Sequence, residues 1–105
     1  MKNNNKKYGL KKERELKKIF SKEIAVLQVT RTRGSFGTFD LQVYYDDCMH
    51  LISIKSVRSK HASFKKEIDK IKNTKVPKYC KKALYVYYSP MAKTELKGWQ
   101  VLYYG

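Results

Sequence analysis

Gly34 to Lys55, GSFGTFDLQVYYDDCMHLISIK, decides the fold of this chain. Two glycines and a serine open it as a loop, and the residues from Asp40 onward read as a strand, a tight turn and a second strand ending at Lys55. Strand side chains alternate between faces. Asp40, Gln42 and Tyr44 therefore share one side of the hairpin, and Leu41, Val43 and Tyr45 the other. On the second strand Ser53 and Lys55 share a face, opposite Ile52 and Ile54. Pairing the strands brings Asp40 across from the Ser53/Lys55 end. A carboxylate and a lysine then meet at one end of a small sheet, an arrangement suited to catalysis.

The chain around this hairpin is strongly basic. Its 105 residues hold 24 Lys and Arg against nine Asp and Glu, a formal net charge of +15. That length makes one domain with a real core. Solubility is served equally well by mixed charges, so the imbalance points to a polyanionic partner, and for a small domain that is nucleic acid. No apolar run is long enough to span a bilayer, and no segment combines strong amphipathicity with large exposed apolar residues. The N-terminal lysines precede no apolar stretch, so a signal peptide is not expected and the chain reads as intracellular and cytoplasmic. Cys48 and Cys80 have no metal-finger spacing, and with His50 and His61 they match no familiar zinc motif.

Outward from the hairpin, residues 1–7 read as a disordered basic tail and 8–105 as a single domain. A helix is expected from Leu10 to Phe20 or Lys22, with Leu16, Ile19 and Phe20 as its apolar stripe. Glu13 lies at the edge of that stripe and faces the protein, or pairs with Lys17; Glu15 points to solvent. Ile24 to Arg31 reads as the first strand. Arg31 and Arg33 lead into the loop with Ser35, a setting suited to a phosphate backbone or simply a connection. Arg58, Lys60 and His61 follow the hairpin.

A second helix is expected from Ala62 or Ser63 to Asn73, with Ser63 as N-cap and Phe64, Ile68 and Ile71 buried. On it Glu67 leans inward and Asp69 outward. Pro77 blocks continuation. Ala83–Tyr88 and Gly98–Tyr104 read as two last strands. The order α-β-β-β-α-β-β implies an α/β fold, a mixed sheet flanked by helices. The strand tyrosines suit stacking on bases or a dimer interface equally.

Gly9-x-x-x-Glu13-Arg14-Glu15-Leu16, the Gly34–Thr38 loop with Asp40, and the strand ending in Lys55-Ser56 together resemble the archaeal-type Holliday junction resolvases. That family belongs to the PD-(D/E)xK nuclease superfamily, with its restriction-endonuclease-like α-β-β-β-α-β core. The resemblance spans about Tyr8 to Lys72, and the final strands in outline. It implies a Mg²⁺-dependent endodeoxyribonuclease, with Mn²⁺ able to substitute, that acts on branched DNA as a homodimer and takes no small-molecule substrate. Asp40 would be the metal-binding Asp, Lys55 the catalytic lysine and Glu13 the N-terminal acidic residue, with the Ile54 carbonyl a further metal ligand. Arg14, Arg31, Arg33, Ser35, Arg58, Lys60 and Lys66 would contact DNA. Hard oxygen ligands suit such an ion, and a lysine beside it orients water and holds phosphate.

Two positions depart from the family pattern. Phe39 replaces a proline, and Ser53 replaces the second acid. Some restriction enzymes of the superfamily have Ser-x-Lys here and draw a carboxylate from the next helix. Glu67, the inward-facing acid of the second helix, is read as that migrated metal ligand and as a catalytic residue, ahead of the alternative in which it pairs with Lys70 or is an ordinary helix-rim charge. Ser53 also leaves room for a nuclease fold that only grips nucleic acid. A double-stranded-RNA-binding domain shares the order α-β-β-β-α but leaves the last strands unexplained.

Overall fold

The computed structural model describes residues 2–32, 38–59 and 63–105. Two helices and five strands follow in the expected order: α1 (Lys2–Ser21), β1 (Gln28–Arg31), β2 (Leu41–Tyr44), β3 (Met49–Val57), α2 (Lys65–Asn73), β4 (Cys80–Tyr88) and β5 (Gly98–Tyr104). The strands form one sheet in the order β1-β2-β3-β4-β5. Chain neighbours pair antiparallel except β3 and β4, which are parallel and joined through α2. A parallel pair needs such a crossover, whereas the Asp46-Asp47 turn suffices between β2 and β3, where the Tyr45 amide donates to the Cys48 carbonyl at 2.9 Å. The result is an α/β fold with a mixed five-stranded sheet.

Alternation along the strands sorts the core into two layers. On one face Leu41, Val43, Ile52 and Ala83 pack with Leu16 and Phe20 of α1. On the other Leu51, Leu84, Val86 and Ile71 of α2 form the larger cluster, with Phe64 and Ile68 against its edge. Leu41, Val43, Leu51, Ile52, Leu84 and Val86 are fully buried, which places the interior at β2, β3 and β4. The central strands are therefore held from both sides, and the residues where β2 begins and β3 ends inherit that rigidity.

Several boundaries differ from the sequence expectation. Helix α1 begins at Lys2, ahead of the predicted Leu10, although Asn3, Asn4, Asn5 and Gly9 are weak helix formers and no apolar stripe marks the segment. Strand β1 covers four residues rather than eight. Its partner β2 ends at Tyr44, and Ile24 and Leu27, which precede the pairing, are exposed. Helix α2 starts at Lys65, and Phe64 occupies the N-cap position with no side-chain hydrogen bond, so Ser63 is not the cap. Strand β4 extends back to Cys80, since Met49 at the start of β3 provides a parallel partner there. Among the described residues no helix is long and apolar enough to cross a membrane.

Candidate active site

Asp40 stands immediately before β2, where the hairpin bends away from regular pairing. Its amide donates to the Ile52 carbonyl at 2.7 Å, and its carbonyl accepts from the Thr32 amide at 3.1 Å. Both bonds fix the backbone from neighbouring segments. The side chain is fixed as well, because the Ile54 amide donates to Oδ2 of Asp40 at 2.7 Å. The same residue bonds β3 through its backbone at Ile52 and through its side chain at Ile54, so the register of the hairpin and the position of the acid are set together.

Three elements converge here. Helix α1 contributes Glu13, the start of β2 contributes Asp40, and β3 contributes Ile54 and Lys55; with Gly9 and Lys12 they line a cleft of about 360 Å³. The helix is anchored by Leu16 and Phe20, one and two turns after Glu13, so burial of that stripe aims Glu13 at the sheet. The Asp40 carboxyl titrates above the ordinary aspartate range. Burial is the main cause and Glu13 adds to it, while the Ile54 amide, Lys55 and Arg31 pull the other way.

Glu13 is not free in this arrangement. Arg31, at the end of β1, donates through Nε to its Oε1 at 2.6 Å. Neither the Lys17 pairing nor a purely DNA-facing Arg31 describes these residues: the two meet across the α1–β1 junction. Arg31 keeps its side chain 40% exposed, so its remaining donors stay open to solvent.

Glu67 lies beside the cleft rather than in it. With Ser53, Lys55, Thr38, Lys66 and Lys70 it lines a second hollow of about 160 Å³. Lys55 borders both hollows, the one lined by Asp40 and the one lined by Glu67. Ser53 is buried at 4% exposure, under the Glu67 side of the strand. As expected, Glu67 is half-buried and Asp69 exposed.

The basic residues proposed for DNA contact scatter around this centre. Arg14 lines a larger hollow of about 530 Å³ along the outer face of α1, with Lys11 and Lys18 and away from Asp40. Arg58 lies over the Tyr8 ring at 4.9 Å. Lys66 sits at the rim of the Glu67 hollow. Arg33, Ser35 and Lys60, together with most of the glycine loop and His61, lie outside the described residues.

One cleft residue escaped the sequence reading. Lys12 is 8% exposed, and its ammonium lies 3.6 Å from the centre of the Tyr87 ring and 3.0 Å from Oε2 of Glu15. Oε1 of Glu15 in turn accepts from the indole N–H of Trp99 at 3.1 Å. Glu15, though 39% exposed in its side chain, is therefore not simply turned to solvent; it ties α1 to β5. The signal was present in the spacing, since Lys12, Leu16 and Phe20 recur every four residues along one helix face.

For a divalent cation, the donors available in the cleft are the carboxylates of Asp40 and Glu13 and backbone carbonyl oxygen. Hard oxygen of this kind suits Mg²⁺, which takes one or two carboxylates and completes its shell with water and phosphate. Burial of Asp40 beside a second carboxylate, with its pKa raised, is the electrostatic condition a cation relieves. Among the described residues no group of three or more His, Cys, Asp and Glu side chains forms a ready-made cage. No protein family, curated protein or solved structure matches the chain in comparison.

Proposed function

We propose that the Asp40 cleft is the active site of a metal-dependent, structure-specific endodeoxyribonuclease that resolves four-way DNA junctions as a homodimer. The observation that carries this reading is the convergence of Glu13, Asp40 and Lys55 from α1, β2 and β3 in one cleft of a strongly basic chain. The order α-β-β-β-α-β, with the first three strands antiparallel and the fourth parallel to the third, agrees with the core implied by the resolvase resemblance. Restriction-endonuclease-like architecture is part of the same proposal.

Asp40 and Glu13, with the Ile54 carbonyl, would hold the ion. When bound, Mg²⁺ supplies a polarised water and stabilises the charge that builds on the scissile phosphate. Lys55 orients that water or holds a non-bridging phosphate oxygen. Arg31 neutralises Glu13 and offers its open guanidinium donors to the DNA backbone. Glu67 lines a hollow with Lys55 that does not include Asp40, which favours a supporting role over direct ligation. Two copies would supply the two nicks that a junction of two-fold symmetry requires.

A second reading keeps the fold and the DNA partner without cleavage. Burial of Ser53 at the position of the missing acid, and the Arg31 bond on Glu13, favour it. The double-stranded-RNA alternative has less in its favour, because β4 is a central strand and the helices occupy opposite faces. Calorimetric titration with Mn²⁺ and Mg²⁺ separates the first two. The nuclease reading expects saturable binding that Asp40→Ala abolishes and Glu67→Ala weakens only partly. Absence of binding in the presence and absence of junction DNA would leave the non-catalytic reading.

A further inference from the structure

The two edges of the sheet are unlike each other. β1 is four residues long, ends in Arg31 and lies beside α1. β5, at the other edge, is seven residues long and reads GWQVLYY. It contains no charged residue and no proline, in a chain whose net charge is +15. Among the described residues no strand pairs with its outer side. An edge strand is ordinarily guarded by lysine, proline or a covering segment, because its unpaired amides and carbonyls accept another strand.

Other features direct this edge outward. None of the seven residues is buried, and Val101 and Tyr104 are 51% and 55% exposed. Lys97, the cation just before the strand in sequence, does not protect it, because its ammonium folds back to the Ala92 carbonyl at 2.7 Å. The Lys72 ammonium lies over the Tyr103 ring at 5.7 Å, on a side chain rather than on the strand's open backbone edge. Trp99 is occupied on the inner side, with Tyr87 and Glu15. The one irregularity against β4 falls near the end of the strand, between Leu84 and Tyr85, which leaves Gly98–Val101 in regular pairing.

We propose that the outer edge of β5 is a dimer seam, at which a second copy of this chain adds its own β5 antiparallel and the two sheets become one. Charge selects this occupant. A second copy also carries +15, so association is least opposed where the strands that meet carry no cation of their own, and of the two sheet edges β5 alone is uncharged. A two-fold axis then sets uncharged strand against uncharged strand. An acidic partner would instead be drawn to the lysine-rich surface elsewhere. Seven residues of strand extend roughly 24 Å, long enough to align a continuous sheet. The seam rests on the two-copy arrangement of the nuclease reading and gives it a location, but it is measured without DNA or cleavage, so its failure and the failure of catalysis are told apart.

The test is sedimentation equilibrium of the full chain without DNA, over a range of concentrations, with amide hydrogen exchange on the same samples. The expected result is a mass approaching twice 12.4 kDa, with exchange at β5 slowing as concentration rises. Val101→Lys, which places a cation on the seam of both copies, should weaken association at least about tenfold. Val101→Thr, uncharged and β-branched, should leave it. A single-copy mass at every concentration overturns the proposal. So does a dimer whose β5 amides exchange independently of concentration, whichever way the lysine variant behaves.

Discussion

The Ile54 amide and the Asp40 carboxylate, 2.7 Å apart, join the strand that carries the lysine to the residue that opens its neighbour. This bond holds the acid in a buried place where ionisation is unfavourable. Its raised pKa means the folded chain binds a proton there more tightly than the unfolded chain does. Stability should therefore be highest below the ordinary aspartate pKa and fall as pH rises through the raised value. Asp40→Asn keeps an oxygen for the Ile54 amide and removes the charge. It should melt at a higher temperature than wild type at neutral pH, lose that advantage in acid, and be inactive. A lower melting temperature at neutral pH would show that Asp40 is structural rather than strained.

Arg31 and Glu13 form an ion pair at the mouth of the cleft. Removing the arginine leaves a carboxylate, only 13% exposed in its side chain, close to another. Arg31→Ala should cost about 1 kcal/mol, a modest loss because Arg31 is itself solvated. It should also raise the Asp40 pKa further, since Arg31 is one of the groups that lowers it. Chemical denaturation together with an NMR titration of the Asp40 side chain measures both effects. Mn²⁺ should bind this variant more tightly in the absence of DNA, because Glu13 is released.

Glu15 titrates in the opposite sense to Asp40. Burial pushes its carboxyl up, but the Lys12 ammonium and the Trp99 indole outweigh that and hold it below the usual range. The stability it contributes is present above the ordinary glutamate pKa and is lost as pH falls through the lowered value. Trp99→Phe keeps a ring against Tyr87 and deletes the N–H. It should cost roughly 1.5 kcal/mol at neutral pH, as expected for a hydrogen bond to a charged group, and less in acid. Equal losses at both ends of the pH range would mean that packing, not the bond, was removed.

Gly98 enters β5 with φ at 72°, where any side chain is strained although nothing lies within 4 Å of an added Cβ. Gly98→Ala should destabilise by about 1 kcal/mol through backbone strain alone. Gly9 meets the same open space inside a helix. Gly9→Ala should accordingly stabilise by about 0.5–1 kcal/mol. Because Gly9 lines the cleft, that variant should bind DNA less well if the backbone there approaches a phosphate. Thermal melts and a binding titration on the two alanine variants check these opposite signs.

The architecture was legible because strand and helix periods were clean where the core is deepest. Leu41, Val43, Leu51 and Ile52 alternate, and Leu16 and Phe20 recur on one helix face, so element order and the hairpin followed. Pairing Asp40 near Ser53 and Lys55 came from the same alternation. The ends of elements were less legible, because they depend on partners: β1 begins only where β2 ends, and β4 begins where β3 offers Met49. The long-range polar contacts were hidden for another reason. Arg31 and Glu13 are 18 residues apart and Glu15 and Trp99 are 84 apart, and no local pattern reports which polar tips meet once helices dock. Glu67 was read correctly as inward-facing, yet helical angle alone could not say which of the two hollows beside Lys55 it would line.

The most direct measurement is cleavage of an end-labelled four-way DNA junction with Mg²⁺, beside a linear duplex of the same sequence, for wild type and Asp40→Asn. The account predicts paired symmetric nicks on the junction, little cutting of the duplex, and a loss of at least about a hundredfold in the variant, with junction affinity retained. Tight, salt-sensitive binding by both proteins without cutting under Mg²⁺ or Mn²⁺ would contradict it, and would leave a nuclease-like fold that only holds DNA.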